Sequence, residues 1–160
     1  MQIKSYSRGD AVEYALKWAN GRNSTYYNFD SIGGDCTNFA SQCIFAGAKI
    51  MNYTPDTGWY YRNINDRAPA WTGVEYLYRF LVNNNSVGPF ARVVGQNEAE
   101  TGDLIQLGNR DGSFYHSLII TQAEPYILVA AHTYDAINRP LFSYTYANVR
   151  FLHIEAVRIW

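Results

Sequence analysis

One cysteine of the sequence stands where its thiol could act as a nucleophile. Cys36 follows Gly33, Gly34 and Asp35 and opens the run CTNFASQCIFAGA, whose pattern favours a helix. At the first turn of a helix, free backbone N–H groups and the positive end of the helix dipole favour a thiolate, the reactive form of cysteine. The two glycines allow a close approach of the chain or of a substrate. Asp35 is expected to cap the helix and Gly47 to end it.

The second cysteine, Cys43, fits a place in the core. It is followed by Ile44 and Phe45 and lies two helical turns after Cys36. Seven residues of helix separate the two cysteines by about 10 Å, whereas a disulfide needs Cα atoms within about 7 Å. Two free thiols indicate a reducing compartment at synthesis. Because the cysteines and the three histidines do not follow metal-ligand spacings, we expect no zinc site and no cofactor.

Three histidines could take the proton of the thiol. His153 lies among apolar residues near the carboxyl terminus and is expected to be structural. His116 opens the apolar run SLIIT, and His132 ends the next predicted strand. If these strands form a hairpin about residues 122–125, positions that sum to about 247 or 248 pair across it. His116 then lies opposite Ala131 or His132, where a base and the group that orients it could meet.

The elements that must position these residues are helices in the first half of the chain. The first predicted helix has an apolar stripe at i, i+3, i+4 and i+7, formed by Val12, Ala15, Leu16 and Ala19. The second begins at Cys36. The third covers residues 73–82, with Thr72 as its cap, and its buried stripe comprises Val74, Leu77, Tyr78 and Leu81.

The second half of the chain predicts a β-sheet. β-branched and aromatic residues dominate five segments separated by turn residues, namely 104–107, 115–121, 127–132, 142–146 and 150–158. Helices followed by strands indicate an α+β fold with an antiparallel sheet, and residues 1–160 form one domain. Segment 50–70 is expected to be a long ordered loop, which is typical of binding loops.

The composition excludes several classes of protein. A net charge of −1 does not provide the basic surface that nucleic-acid binding needs. No run of about 18 apolar residues is present, so we expect no membrane span. The amino-terminal segment MQIKSYSRGDAVEY lacks the apolar centre of a signal peptide, which predicts synthesis in the cytoplasm or a trimmed protein. The 16% aromatic content fits either a β-rich core or a Tyr- and Trp-lined groove for glycans or peptides.

Several motifs together resemble the putative amidase domain of bacterial and phage cell-wall hydrolases. They are GGDCTNFASQC, GDLIQL, YHSLIIT, and HTYD followed by NRPL. The family resembles the wider papain-like group that includes CHAP domains. The resemblance implies a nucleophile helix packed on an antiparallel sheet that carries a histidine. Cys36 matches the nucleophile and His116 the histidine. The third polar residue falls on His132, which the hairpin geometry favours, or on Asp135, whose carboxylate would orient an imidazolium more strongly.

The same resemblance implies a function at the cell wall. The expected reaction is cleavage of the amide between N-acetylmuramic acid and L-alanine in peptidoglycan, and a bond within the stem or cross-bridge peptide is the alternative. Phage-type release or trimming from a secreted protein, and a separate wall-binding domain outside these residues, are also implied. The rival interpretations are a non-catalytic wall-binding module and a papain-like protease or transglutaminase-like enzyme. The candidates for the substrate groove are Tyr26, Tyr27, Trp59, Tyr60 and Tyr61.

Overall fold

Four helices, nine strands and two short 3-10 turns make up the fold of residues 1–160, all of which a computed structural model describes. The helices are α1 (Arg8–Trp18), α2 (Cys36–Ala48), α3 (Pro69–Thr72) and α4 (Val74–Asn83). The strands are β1 (Gln2–Lys4), β2 (Tyr61–Asn63), β3 (Asp66–Arg67), β4 (Gly88–Val94), β5 (Leu104–Gly108), β6 (Phe114–Gln122), β7 (Leu128–Ala131), β8 (Ala136–Pro140) and β9 (Asn148–Ile159). None of the helices combines the length and the apolar character needed to cross a membrane.

Seven of the strands form one sheet in which every neighbouring pair is antiparallel. The long strand β9 pairs with β4 along one edge and with β1 and β5 along the other. From β5 the sheet continues through β6 and β7 to β8, while β2 and β3 form a separate hairpin. The chain is therefore an α+β domain with an antiparallel sheet, as the order of predicted elements indicated.

The two faces of this sheet carry different hydrophobic cores. The larger core lies between the sheet and the helices and includes Phe39 and Ile44 of α2 together with Ile119 of β6. The smaller core, on the opposite face, includes Leu107 and Leu118 and no residue of the four α-helices. Successive residues of a strand point to opposite faces, which is why Leu118 and Ile119 belong to different cores. This alternation decides which side chains of β6 can face α2.

The helices differ from the predicted ones mainly in their buried faces. In α1 the buried residues are Ala11 and Ala15, and Leu16 is exposed, because alanine allows the closest packing on the larger core. Residues 69–72 form α3, so α4 begins after Gly73 rather than with Thr72 as its cap. The buried residues of α4 are Leu77, Phe80 and Leu81, whereas Val74 and Tyr78 are only half-buried.

The strand predictions hold for β5, β6, β7 and β9 to within a few residues. Segment 142–146 is not a strand: Thr133 and Tyr134 have φ of 62° and 59°, which turns the chain early into β8, and a 3-10 turn follows. The sequence did not predict β1, whose three residues are exposed, or β4, whose Gly-Pro start weakens a strand pattern. Segment 50–70, expected to be a long ordered loop, contains β2, β3 and the fully buried Trp59, so it is ordered but packs in the larger core.

Gly47 lies inside α2 instead of ending it. The helix continues through Ala48 and ends at Lys49, which has the left-handed φ of 65°. A Cβ at position 47 would lie 2.5 Å from Cε1 of Tyr6 and 2.7 Å from the carbonyl oxygen of Ser7. Glycine is required there because the segment before α1 crosses the end of α2 at backbone contact.

We therefore expect Gly47→Ala to destabilise the domain, although alanine favours helices. The added methyl group collides with a ring and with backbone, and overpacking of this kind costs about 1–3 kcal/mol. Gly9→Ala is the matched control, because Gly9 lies in α1 and no neighbouring atom comes within 4 Å of the place that its methyl group would take; it should be neutral or stabilising by up to about 1 kcal/mol. Urea unfolding followed by circular dichroism measures both. Equal effects of the two substitutions would contradict the packing argument.

Candidate active site

Cys36 is the first residue of α2, and the loop before it bends at two glycines. Gly33 and Gly34 have φ of 81° and 98°, in the region that favours glycine. A side chain at Gly34 would also come within 3.1 Å of Oγ1 of Thr133. The glycine pair is therefore required both by the backbone conformation and by the close approach of the β7–β8 turn.

The sulfur of Cys36 is almost buried and faces hydrogen-bond donors. It lies 3.7 Å from Oγ1 of Thr37 and also receives a backbone hydrogen bond from Ser117. Burial has the largest influence on the thiol and raises its pKa, and Asp35 adds to this rise, while the hydrogen bonds from Ser117 and Thr37 lower it. The expected thiolate at the helix start is thus corrected, because burial outweighs the helix terminus in the resting domain. Cys43 is a fully buried free thiol in the larger core.

The Asp35 side chain points into the protein and makes no capping hydrogen bond to α2. Its Oδ1 accepts hydrogen bonds from the Phe29 N–H at 2.8 Å and from Nδ2 of Asn38 at 2.9 Å. Its Oδ2 lies 2.5 Å from Nδ1 of His132. Asp35 therefore occupies the N-cap position, as expected, but its side chain does not cap the helix, because the carboxylate instead binds the preceding loop, α2 and the end of β7.

His132 is held between two hydrogen-bond acceptors. Its Nε2 lies 2.8 Å from the carbonyl oxygen of Trp18, the last residue of α1, and its ring stacks on Phe39 with centroids 3.9 Å apart. A carbonyl only accepts, and the Asp35 carboxylate is the partner on the other side, so we assign a proton to each ring nitrogen. The imidazolium and the carboxylate, both 1% exposed, then form a buried ion pair. Each charge also lies at the helix end whose dipole favours it.

The rest of the HTYD segment also fastens the loop before α2. The Asp35 N–H donates to Oγ1 of Thr133 at 3.2 Å. Asp135 accepts two hydrogen bonds from Arg22, at 2.9 and 3.0 Å. Arg22 in turn binds Asp30 and lies 3.7 Å from Oδ2 of Asp35. Sequence reasoning missed Arg22, because a single arginine after a helix carries no pattern that distinguishes it from a solvated one.

Asp35→Asn should therefore destabilise the domain strongly. The substitution leaves the His132 imidazolium without its counter-charge in the interior, and removing one partner of a buried pair costs about 3–5 kcal/mol. Asp135→Asn is the control, since it removes a partly exposed partner of Arg22 and should cost about 1 kcal/mol or less. Urea unfolding of the two variants tests the difference. A loss for Asp35→Asn no larger than for Asp135→Asn would contradict the assignment of a buried ion pair.

His116 lies on β6 directly before Ser117, but its side chain is on the opposite face of the sheet from α2. It pairs across from Leu107, a residue of the smaller core, and its ring centroid is 6.2 Å from that of Tyr144. No hydrogen bond joins the imidazole to the Cys36 sulfur in this conformation. The residue after His116, Ser117, contacts Thr37 beside the sulfur, while the imidazole lies on the other face of the strand.

Neither His132 nor Asp135 contacts His116. In the β6–β7 hairpin Ile119 pairs with Ala130, so paired positions there sum to 249 rather than 247 or 248. The strand β7 then ends before the position opposite His116. The predicted pairing of the two histidines is wrong for this reason: a one-residue change of register moves a side chain to the other face of a sheet. His132 consequently faces the helices and His116 the smaller core.

The His116 imidazole is neutral near pH 7. Burial, followed by the positive charge of Arg139, lowers the pKa of His116 to about 4. Neither ring nitrogen hydrogen-bonds to another protein group, and the only fully enclosed side-chain polar atom without a partner is the hydroxyl of Tyr144. The imidazole is therefore free to accept a proton from a molecule that reaches it.

Arg139→Gln should raise the pKa of His116. The guanidinium disfavours a second positive charge on the imidazolium, so its removal shifts the midpoint upward from about 4. Because burial remains, the midpoint should stay below the ordinary value of about 6.5. An NMR titration of the His116 ring, assigned with His116→Gln, measures the shift, and Arg79→Gln on the exposed face of α4 is the control. An unchanged midpoint in Arg139→Gln would contradict the electrostatic account.

The aromatic residues expected to line a groove differ in how far they are buried. Trp59 has no exposed surface, and Tyr60 and Tyr61 are also buried, so these three pack in the larger core and do not line a groove. Tyr26 is half-buried and stacks on an indole. Tyr27 is 39% exposed, and its carbonyl accepts a hydrogen bond from a side chain in the first turn of α2. Tyr27 is thus the member of the predicted set whose side chain is exposed and whose backbone contacts the first turn of α2.

Other parts of the surface do not add to this site. No group of three or more His, Cys, Asp and Glu side chains is arranged to hold a metal ion. A cleft of about 750 Å³ has Asn52, Tyr76 and Phe80 among its lining residues, and neither Cys36 nor His116 lines it. The candidate site is therefore the region at the start of α2 and beside β6.

Comparison with known proteins assigns the family. The sequence model of the family described as a putative amidase domain matches residues 5–154, so the chain belongs to this family. The uncharacterized protein YhbB of Bacillus subtilis (strain 168) is 35% identical over 136 residues, which cover 82% of this chain and 42% of YhbB. The chain thus spans less than half the length of this relative. No solved structure matches the chain. The family indicates an enzyme with amidase activity.

Proposed function

We propose that this domain hydrolyses an amide bond of peptidoglycan with Cys36 as its nucleophile. The observation that carries the proposal is the place of the sulfur: it belongs to the first residue of α2, is approached through two glycines, and faces donors from Thr37 and Ser117. Such donors stabilise the thiolate that attacks a carbonyl. The amidase family supplies the reaction class, and the papain-like arrangement of a nucleophile helix on a histidine-bearing sheet is part of the proposal.

His116 is proposed as the general base. It is neutral near pH 7, and its ring nitrogens are free of protein partners. Since the imidazole does not contact the Cys36 sulfur in the conformation described, proton transfer needs one bridging water or a rotation of the His116 side chain. Catalytic hydrogen bonds are often long or poorly aligned in enzymes without substrate and tighten only when substrate binds.

The reaction then proceeds through an acyl-enzyme. As the proton moves from sulfur to His116, a bond forms between sulfur and the carbonyl carbon. The Cys36 N–H at the start of α2 has no backbone acceptor and can stabilise the oxyanion. The C–N bond breaks as His116 returns the proton to the leaving amine, and water releases the acyl group.

The substrate is proposed from the kind of amidase that the sequence motifs resemble. The bond between N-acetylmuramic acid and L-alanine is the first choice, and a peptide bond of the stem or cross-bridge is the alternative for the same chemistry. Tyr27 is the candidate for contact with the glycan or peptide beside Cys36. We also propose that the domain acts on the cell wall, after phage-type release or secretion, with a separate wall-binding domain. His132 and Asp135 enter the proposal as groups that position the loop before Cys36.

Cys36→Ala should reduce hydrolysis of purified cell walls by about 10³-fold or more, because removal of the nucleophile leaves only binding and oxyanion stabilisation. Cys43→Ala is the matched control; it changes the other thiol, which is fully buried in the core, and should retain activity. Turbidity of the walls gives the rate and mass analysis of the released fragments gives the bond. Intact stem peptides with a free L-alanine amino end support the amidase, and shortened stems indicate the endopeptidase. Wall hydrolysis that survives Cys36→Ala would refute the cysteine mechanism.

A further inference from the structure

A chain of hydrogen bonds runs along the helix-side face of the sheet, across β9, β5 and β6, to the Cys36 sulfur. It starts at Arg150, whose Nε and Nη2 lie 2.9 and 2.6 Å from Oε1 of Gln106. Nε2 of Gln106 lies 3.2 Å from Oγ of Ser117, which is 3.0 Å from Oγ1 of Thr37. The last step is the 3.7 Å contact between Thr37 and the sulfur. The three intermediate side chains are at most 1% exposed, so water does not compete for these bonds.

Arg150 determines which way the Gln106 amide points. The guanidinium lies between the rings of Tyr78 and Phe114, 3.6 and 3.8 Å from their centroids, and its Nη2 is 2.9 Å from Oε2 of Glu75. Because a guanidinium only donates, the Gln106 atom that faces it must be the oxygen. The Gln106 nitrogen then donates one hydrogen to the Val74 carbonyl, at 2.9 Å, and the other to Ser117.

This fixed amide and a thiolate at Cys36 together give each hydrogen bond between them a direction. The Ser117 hydroxyl accepts from Gln106, so its own hydrogen is available for Thr37. A thiolate can only accept, so the Thr37 hydroxyl donates to it and accepts the hydrogen of Ser117. With a thiolate present, all donors therefore point the same way, from the partly buried Arg150 toward the sulfur.

We propose that Arg150, Gln106, Ser117 and Thr37 form a directed chain of donors that holds the Cys36 sulfur in place and stabilises its thiolate. The inference rests on the proposed role of Cys36, and these four are positioning residues that act through the sulfur. No histidine contacts the sulfur to supply the positive charge that stabilises many catalytic thiolates, and the chain provides that function from a distance. The chain also gives a role to Thr37 in CTNF, Gln106 in GDLIQL and Ser117 in YHSLIIT, whose side chains the proposed mechanism does not use.

The charged groups around the thiol also influence how readily the thiolate forms. Asp35 precedes Cys36 and opposes the thiolate, while His132 neutralises Asp35 from the end of β7. His116 on β6 is neutral and faces away from α2. Arg150 is thus the partly buried cation connected to the sulfur by hydrogen bonds, and it reaches the sulfur only through the two hydroxyls and the amide.

Alkylation of Cys36 by iodoacetamide, followed by mass spectrometry from pH 5 to pH 11, tests the proposal on the whole domain. Ser117→Ala and Thr37→Val each remove one donor, and we expect alkylation at pH 7 to slow by about tenfold, with the midpoint of the pH profile moved upward. Thr37→Ser keeps the hydroxyl and should restore the rate. Gln106→Glu replaces the donating NH2 by an acceptor, so the Ser117 hydrogen turns away from Thr37 and the same slowing is expected.

The readout separates this role from a loss of stability. A merely destabilised variant opens more often, so both Cys36 and the buried Cys43 would be alkylated faster, opposite to the expected change. Ser41→Ala is the matched control: Ser41 is fully buried on α2 but binds Trp71 and Trp59, outside the chain. Unchanged or faster alkylation in both Ser117→Ala and Thr37→Val would overturn the inference.

The same measurement distinguishes failure of the inference from failure of the proposed function. Alkylation reports on the thiol whether or not the domain hydrolyses cell walls. If Cys36→Ala abolishes hydrolysis while alkylation is insensitive to Thr37→Val and Ser117→Ala, only the donor chain is refuted. If alkylation slows as expected while hydrolysis survives Cys36→Ala, the donor chain stands and the proposed nucleophile is refuted.

Discussion

The buried ion pair between Asp35 and His132 determines where α2 begins, and the rest of the candidate site follows from it. Taking both charges out of water costs several kcal/mol, and the cost is offset only because nearly every polar atom of the pair has a partner. The Asp35 carboxylate also accepts two further hydrogen bonds, and His132 donates to the last residue of α1. One contact thus joins the end of one helix, the end of a strand, a loop and the start of the next helix. Cys36, the residue after Asp35, has little freedom left.

The thiol of Cys36 and the imidazole of His116 are both uncharged before a substrate binds. Burial raises the pKa of Cys36 and lowers that of His116, so neither group has a reason to ionise in the resting domain. A negative charge develops on the sulfur only as its proton leaves, and the hydrogen-bond donors around the sulfur then stabilise that charge. A site of this kind depends on preorganised hydrogen bonds rather than on a standing thiolate–imidazolium pair.

The sequence predicted the parts of the fold that depend on local chemistry. The glycine pair and the apolar run after it indicated the start of α2 at Cys36, and β-branched segments indicated β5, β6 and β9. The pairing of His116 with His132 was wrong because it depends on register, and a shift of one residue exchanges the faces of a strand without altering its composition. Arg22 and Arg150 were not predicted as part of the site, because a long-range partner decides whether an arginine is solvated or structural.

A bulge in β6 lies directly before His116. Leu107 pairs with His116 and Gly108 with Phe114, so β6 carries one extra residue, Tyr115, against β5. The extra residue allows Phe114 to share the helix-side face with Ser117, where Phe114 packs on the guanidinium that starts the donor chain. His116 lies on the opposite face by the ordinary alternation of the strand, because the bulge precedes it in the chain. The strand β6 therefore presents Phe114 and Ser117 to the helix side and His116 to the smaller core, so the proton exchange proposed between the sulfur and the imidazole needs bridging water or a rotation of the His116 side chain.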